Sequence, residues 1–401
     1  MSDVLIIGGG QAGSMVAINL RKQKFEGSIS IITEEASYPY QRPPLSKGFL
    51  TGKTKTESLF FKGEDYYEKN GIKVLLNHRA IKLNTKKQEV TLEDGSSIGY
   101  EKLIITTGSK LNQITSKENK RIIYLNTLSK AIDLQKQLNK SKSVGVVGAG
   151  YIGLEVAATA KKLGLKTIVF EAEKRIMQRS ASKEISNFIK RYHEKMGVEF
   201  KLNTIAERID PTDKGVSISL SDGNSANPDF VVIGVGVQPA SSIAEEAGID
   251  CSNGILVDEN CQTSDENVYA AGDCANHYFS KYGFRHRLES VQNAIDQAKT
   301  VSSSILGTPI AYNSVPWFWS DQYDLKLKIA GLSQESDLIV IRGKTDDSKF
   351  SACHFKESKL IALECVNDQK TFMAGKKLIE ASSKITPEAL IDEQSNLKDW
   401  L

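Results

Sequence analysis

An α/β fold with two copies of one nucleotide-binding unit and a smaller C-terminal α+β domain is predicted by three features of the sequence. A short apolar strand, Val4-Leu5-Ile6-Ile7, runs into Gly8-Gly9-Gly10-Gln11-Ala12-Gly13 and then into a helical pattern. The same grammar returns about 140 residues later, with Val144–Val147 and then Gly148-Ala149-Gly150-Tyr151-Ile152-Gly153. After Asn313 the texture changes to alternating segments that read as an antiparallel sheet. A chain of 401 residues suits two or three domains. With 40% hydrophobic and 25% charged residues it is too apolar to be disordered. No apolar run approaches the ~18 residues of a membrane span. The net charge of +3 has both signs mixed, so bulk electrostatics do not call for nucleic acid. Met1-Ser2-Asp3 lacks the basic start of a secretory signal, and the expected location is the cytoplasm.

In chain order, Val4–Ile7, the first glycine turn, a helix over Ser14–Lys24 and a strand at Ile29–Ile32 make a βαβ start. A strand at Lys102–Ile105 ends in Thr106-Thr107-Gly108. The second copy runs through Val144–Val147, its turn, a helix over Leu154–Leu163 and a strand at Lys166–Phe170. A strand at Phe230–Ile233 ends in Gly234-Val235-Gly236. The chain is expected to cross between domains at the turns after these two strands. Val268–Asp273 reads as a strand and turn, followed by a helix over Ser290–Ile305. Leu325–Ile329, Leu338–Ile341, Phe350–Phe355 and Leu360–Val366 alternate as strands, with helical patterns at Ala374–Ala381 and Pro387–Ile391. The expected segments are 1–107, 108–236, 237–313 and 314–401.

A lone glycine pattern is a weak signal. Here each copy follows a strand, opens a helix and has an acid ending the next strand: Glu34 lies 21 residues after Gly13, and Glu171 lies 18 after Gly153. Such glycines let the backbone approach a pyrophosphate whose charge the helix N-terminus favours, and the carboxylate takes the ribose hydroxyls. Two such sites suggest two dinucleotides, a flavin that stays and a nicotinamide that exchanges. The first copy should hold the flavin, because further flavin-type elements surround it. Glu171 would repel a 2′-phosphate and so favours NADH over NADPH, while Lys174 and Arg175 close behind it oppose that preference.

Asp273, after a strand and a glycine, suits ribityl hydroxyls, although a turn-forming Gly-Asp is common anywhere. Glu289-Ser290-Val291-Gln292-Asn293 reads as a first helical turn whose N–H groups could face the flavin pyrimidine, or as a plain capped helix. In Arg42-Pro43-Pro44-Leu45-Ser46-Lys47 two prolines set a rigid helix start, with Lys47 one turn in. Lys47 is then either a cation beside the isoalloxazine or a surface lysine. Val315–Gln322 holds two of the three tryptophans, which would cover a flavin edge or pack a domain interface. The five cysteines, Cys251, Cys261, Cys274, Cys353 and Cys365, form neither a disulfide framework nor a C-x-x-C, and no metal site is expected.

These residues resemble the FAD-dependent, NADH-linked ferredoxin reductases that serve P450 monooxygenases and ring-hydroxylating dioxygenases, the putidaredoxin reductase type, with rubredoxin reductases near by. The resemblance spans nearly the whole chain. It is carried by Arg42–Lys47, Gly148–Ala158, Gly272–Asp273, Glu289–Lys299 and Pro316–Tyr323. It implies a glutathione-reductase-like fold, with a split FAD domain (1–107 and 237–313), an inserted NAD domain (108–236) and a C-terminal interface domain (314–401). It further implies FAD contacts from Gly10, Ala12, Gly13, Glu34, Lys47, Ala80, Asp273 and Val291. NAD contacts would come from Gly150, Ile152, Gly153, Glu171 and, near the nicotinamide, Glu155. Trp319 would lie by the flavin ring. The same reading takes the turn glycines Gly8 and Gly148, Arg42 and Gly236 as cofactor contacts, and Lys47, Glu155 and Trp319 as the catalytic set. The chain departs from the family at Asn126, where relatives often carry arginine.

The absent dithiol sets the expected chemistry. Electrons cannot pass to a cysteine pair, so they must leave from the flavin itself, which suits a one-electron [2Fe–2S] ferredoxin. Ferredoxins of this type are acidic, and Lys299, Lys326 and Lys328 are the expected docking patch. The complex would be transient and electrostatic, and the chain a monomer or weak dimer. A rubredoxin reductase, a monodehydroascorbate-type reductase of a small radical, and a non-enzymatic NADH-sensing flavoprotein are the alternatives.

Overall fold

The computed structural model describes residues 1–115 and 119–401. The chain divides into two compact units. The first comprises Met1–Gln41, Leu59–Lys110 and Val237–Pro316, and the second Arg42–Ser58, Leu111–Gly236 and Trp317–Leu401.

The first unit is built on a parallel sheet in the order Ile72–Leu75, Ile29–Ile32, Ser2–Ile7, Ser97–Ile105, Val268–Ala270. Its strands are near-continuous apolar runs because both faces are covered. Leu5, Ile7, Leu103, Ile105, Val268 and Ala270 share one buried cluster. The strand Ser97–Ile105 is long enough to serve two sheets, and its start pairs antiparallel with Glu89–Leu92. The helix Gln11–Lys22 packs on the helix Val291–Ile305, which brings the first glycine turn and the late helix into one layer.

The second unit repeats the plan. Its parallel sheet runs Glu199–Lys201, Lys166–Phe170, Ser143–Val147, Phe230–Ile233, Ile122–Tyr124. A five-stranded antiparallel sheet follows, in the order Trp317–Gln322, Leu325–Gly331, Lys359–Val366, Phe350–Lys356, Leu338–Gly343. The helix Gln369–Glu380 packs on it. In both units the glycine turn leaves the C-terminal end of a strand whose two neighbours are reached in opposite directions. That is the switch point where open α/β sheets bind ligands.

Three local differences from the expected elements have clear causes. The first helix starts at Gln11, not Ser14, and ends at Lys22, because the glycine turn passes directly into helix with Gly10 as its N-cap. The Pro43–Ser46 segment is a single 3-10 turn, so Lys47 ends it and does not sit one turn inside a helix. Trp317–Gln322 is an edge strand, whose alternation separates Trp317, Trp319 and Asp321 from Phe318, Ser320 and Gln322. No helix among the described residues is long and apolar enough to cross a membrane.

Candidate functional site

Each glycine turn is locked at its ends and open at its middle. In the first unit a Cβ on Gly8 would lie 2.2 Å from the Thr106 carbonyl oxygen, and one on Gly13 would lie 2.2 Å from the Gly8 carbonyl oxygen. In the second unit a Cβ on Gly148 would meet the Gly234 carbonyl oxygen at 2.3 Å, and one on Gly153 the Gly148 carbonyl oxygen at 2.2 Å. Gly8 and Gly148 also take φ of +111° and +98°, a region that only glycine occupies readily. Gly10 and Gly150 meet nothing within 4 Å. No protein atom requires glycine at either position, and what the missing side chain keeps clear is the mouth of a helix. The helices Leu128–Lys140, Lys183–Lys195, Val291–Ile305 and Gln369–Glu380 are capped by the side chains of Thr127, Ser182, Ser290 and Asp368. The two glycine-turn helices receive no side-chain cap. Their first N–H groups are thus available to an anion, and the turns fit a dinucleotide pyrophosphate.

The two acids differ. Glu34 is exposed and lies 3.8 Å from Arg79, a pair weakened by solvent. Glu171 is held: Oε2 accepts from the Ala149 N–H at 2.6 Å and Oε1 from the Glu173 N–H at 2.9 Å. Arg175, behind it, spends its guanidinium on the carbonyl oxygens of Ala181, Ser182 and Gln178. Lys174 is exposed. Ile152 is 49% exposed on the second turn, whereas Ala12 in the same place on the first is 5% exposed. Gly236 takes φ +93°, with Asn112 and Arg179 side chains near its Cα.

In the first unit, Gly272–Asp273 is clamped from both sides. The Gly272 N–H donates to Gln297 Oε1 at 2.7 Å, and the Asp273 carbonyl accepts from Arg287 Nη1 at 3.0 Å. Arg287 also pairs with Glu289 at 2.7 Å, just before the Ser290 cap of the helix that begins at Val291. Ala80 opens a strand and is half-buried. Arg287 and Gln297 were not among the residues expected at a site. Their only signal was position, Arg287 just before the segment Glu289–Lys299 and Gln297 inside it.

In the second unit the structure joins residues that the sequence separates by more than 100 positions. Lys47 Nζ lies 2.7 Å from Glu155 Oε2, which also accepts from Ser46 Oγ at 2.5 Å. Glu155 Oε1 accepts from Ser320 Oγ at 2.6 Å. Glu155 is only 5% exposed, so three donors replace the water its charge has lost. Arg42 donates to the carbonyl of Asn126. Trp319 is half-buried, on the strand face opposite Ser320, with Trp317 5.6 Å away.

Of the docking lysines, Lys299 belongs to the first unit and pairs with Asp296 at 3.1 Å. Lys326 and Lys328 share the outer face of one strand of the second, where Lys326 is exposed. Lys328 donates to Gln369 and lies 5.4 Å over the Phe372 ring. All five cysteines are free thiols. Burial pushes Cys251 up to about 11 and Cys353 up to about 12, so neither is a reactive thiolate. No cluster able to hold a metal occurs among the described residues.

Comparison with known proteins agrees with this geometry. Residues 2–298 match the family described as pyridine nucleotide-disulphide oxidoreductase, and residues 317–401 match the one described as reductase C-terminal. Rhodocoxin reductase from Rhodococcus erythropolis is 38% identical over 398 residues, covering 98% of this chain and 93% of that protein. The 5,5'-dehydrodivanillate O-demethylase ferredoxin reductase subunit from Sphingobium sp. is 37% identical, covering 99% and 98%. Among solved structures, the reductase of the covalent putidaredoxin reductase–putidaredoxin complex superposes with a TM-score of 0.96 at 33% identity, covering 99% and 97% of the two chains. The ferredoxin reductase for the CYP199A2 system from Rhodopseudomonas palustris gives 0.94 at 38% identity, covering 99% of each. The chain therefore belongs to the pyridine nucleotide-disulphide oxidoreductase family, among its putidaredoxin-reductase-type ferredoxin reductases, and has the glutathione-reductase-like fold that the sequence predicts.

Proposed function

We propose that this chain is a flavoprotein oxidoreductase that takes hydride from NADH onto FAD and passes single electrons to a [2Fe–2S] ferredoxin, which feeds a P450 or a ring-hydroxylating oxygenase. The observation that carries this reading is the pair of glycine turns, each shut at its ends by backbone and open at its middle. The family membership and the absence of a cysteine pair support it. When bound, FAD supplies the chemistry: it accepts a hydride and gives up its two electrons one at a time.

The chain's own residues bind and orient. Segments 1–107 and 237–313 would hold FAD through Gly8, Gly10, Ala12, Gly13, Glu34, Ala80, Asp273 and Val291, with Arg42 and Lys47 added from the Arg42–Lys47 segment. Segment 108–236 would hold the nicotinamide dinucleotide through Gly148, Gly150, Ile152, Gly153, Glu155, Glu171 and Gly236. The exposure of Ile152 suits a ligand that exchanges. NADH is favoured over NADPH, because Glu171 is fixed in place and the Arg175 guanidinium is turned toward the carbonyl oxygens of Ala181, Ser182 and Gln178. Lys47 would supply positive charge to stabilise a reduced ring, Glu155 would keep that ammonium in place, and Trp319 would cover the ring edge. Segment 314–401 would meet the ferredoxin, with Lys299, Lys326 and Lys328 drawing its acidic face into a transient encounter. The working protein would be a cytoplasmic monomer or weak dimer.

The test is anaerobic stopped-flow mixing with NADH, followed by mixing with a [2Fe–2S] ferredoxin. Fast flavin bleaching and then fast iron–sulfur reduction is the expected result. Bleaching without transfer would keep the cofactor assignment and move the partner to a rubredoxin or a small acceptor. No bleaching would overturn the reading. Charge reversal at all three lysines should raise the Michaelis constant for ferredoxin and leave dye reduction intact.

A further inference from the structure

Glu155 is one end of a longer buried chain of hydrogen bonds. Ser320 Oγ donates to it at 2.6 Å, and Gln322 Nε2 donates to Ser320 Oγ at 3.1 Å. The other atom of that amide, Gln322 Oε1, lies 2.8 Å from His193 Nε2. Glu155, Ser320, Gln322 and His193 are all buried. The directions of these bonds are not interchangeable. An ionised carboxylate can only accept, so Ser320 must donate to it, and the Ser320 oxygen is then free to accept from the Gln322 NH2. That turns the Gln322 carbonyl toward His193, whose Nε2 must carry a proton. Burial holds this imidazole neutral, pushing it down from 6.5 to about 4, and its Nδ1 has no partner among the described residues. The ring therefore sits in one tautomer, and that tautomer fixes the amide, the hydroxyl and the carboxylate in turn.

Ser320 and Gln322 are the inward-facing positions of the strand whose outward face carries Trp317 and Trp319. The aromatic motif thus conceals a second, polar pattern of period two that neither the aromatic reading nor the proposed function uses.

We propose that Ser320, oriented by Gln322 and His193, is a positioning residue for the Lys47–Glu155 pair, so that the C-terminal sheet helps to set the charge required for flavin reduction. This rests on the reading in which Lys47 and Glu155 serve the hydride step. By occupying Oε1, Ser320 leaves Oε2 to Ser46 and Lys47, and one carboxylate oxygen then anchors the ammonium at 2.7 Å. Without Ser320, the carboxylate is free to turn and Lys47 loses its fixed partner.

Two measurements on Ser320→Ala separate the possibilities. The first is the rate at which acetic anhydride labels Lys47, followed by mass spectrometry on the holoenzyme before any NADH is added. The loss of one hydrogen bond to a charged group should raise labelling about tenfold, and Ser320→Thr should restore the wild-type rate. Gln322→Met, which keeps the volume and removes the amide, should give a smaller change in the same direction. The second is the limiting rate of anaerobic flavin reduction at saturating NADH, which should fall about tenfold in Ser320→Ala. Unchanged Lys47 labelling in both Ser320→Ala and Gln322→Met overturns the proposal. Altered labelling with a normal reduction rate also overturns it, by showing that the relay orders Lys47 without serving the hydride step. Failure of the wild-type protein to be reduced by NADH is a separate result that sinks the underlying function.

Discussion

The two glycine turns are the same device put to different use. Both begin and end with glycines packed on backbone, and both leave the middle position clear. Past the third glycine they diverge. Two residues on, the first copy carries Met15 and the second carries Glu155. The first is half-buried and apolar, whereas the second is a buried charge with three donors. The acids diverge in the opposite sense, Glu34 being exposed and loosely paired while Glu171 is fixed by two backbone N–H groups. The flanks differ as well. The first helix packs on Val291–Ile305, and the second on the strand Trp317–Gln322. The turn that suits a pyrophosphate is shared, and the surroundings are what set the two copies apart.

The turns themselves offer the largest effect. Ala at Gly13 or at Gly153 would drive a methyl group to 2.2 Å from a carbonyl oxygen of the same turn, which cannot withdraw without opening it. Each variant should lose about 3 kcal/mol or more, read as a lowered thermal midpoint of the apoprotein. Equal losses would show that the two turns are mechanically alike. A small loss at one of them would break the comparison.

How much of this could be read from the sequence follows from distance along the chain. The turns, their strands and both acids lie within one βαβ unit each, where local periodicity is sufficient. The partners of Glu155 lie 108, 109 and 165 residues away from it, and no local pattern announces such pairings. Lys47 could be singled out as a cation near prolines, but not as the partner of a buried carboxylate. In Trp317–Gln322 the tryptophans drew attention to one strand face, while Ser320 on the other face is the residue that reaches Glu155. Arg287 and Gln297 escaped for a similar reason, since a clamp on backbone atoms leaves no composition signal.

Acid should next distinguish the surroundings of the second turn. His193 is buried neutral, with its pKa pushed down from 6.5 to about 4 by burial. The unfolded chain takes up a proton near 6.5, and the folded one does so only near 4. Its contribution is therefore complete above pH 6.5 and is lost progressively as pH falls toward 4, by of order 3 kcal/mol. His277 and His286 of the first unit are pushed in the same direction by burial, so wild-type acid sensitivity has several sources. The curve for His193→Gln subtracted from that of the wild type isolates this one. A difference that stays flat between pH 6.5 and 4 would remove His193 from the account.

Ala at Gly10 or Gly150 should act on ligands and not on the fold, because among the described residues no atom beyond the chain neighbours lies within 4 Å of the added methyl. Each apoprotein should melt as the wild type does. Gly150→Ala should weaken NADH by about tenfold to a hundredfold, about 1.4–2.8 kcal/mol, with FAD retained, and Gly10→Ala should weaken FAD instead. Isothermal titration of the apoprotein with FAD and of the holoenzyme with NAD+ reads both. If one variant weakened both ligands alike, the assignment of one dinucleotide to each turn would fail.

The smallest expected effect concerns the acids. Glu171→Ala removes a carboxylate that accepts two N–H bonds, one from Ala149 inside the turn. The turn then loses a support as well as the ribose contact proposed for Glu171, so NADH should weaken about tenfold, or ~1.4 kcal/mol, with a small fall in stability. NADPH should gain little, because Arg175 remains committed to three carbonyl oxygens and cannot turn toward a 2′-phosphate. Glu34→Ala removes an exposed group that lies 3.8 Å from Arg79, and the first turn keeps its shape. FAD should therefore weaken by less than NADH does in Glu171→Ala. The measurement is a pair of ratios, variant over wild type, for FAD at the first turn and for NADH at the second. A larger ratio for Glu34 than for Glu171 would mean that the exposed acid does the greater share of ribose binding, and that the fixed position of Glu171 serves only to hold the turn.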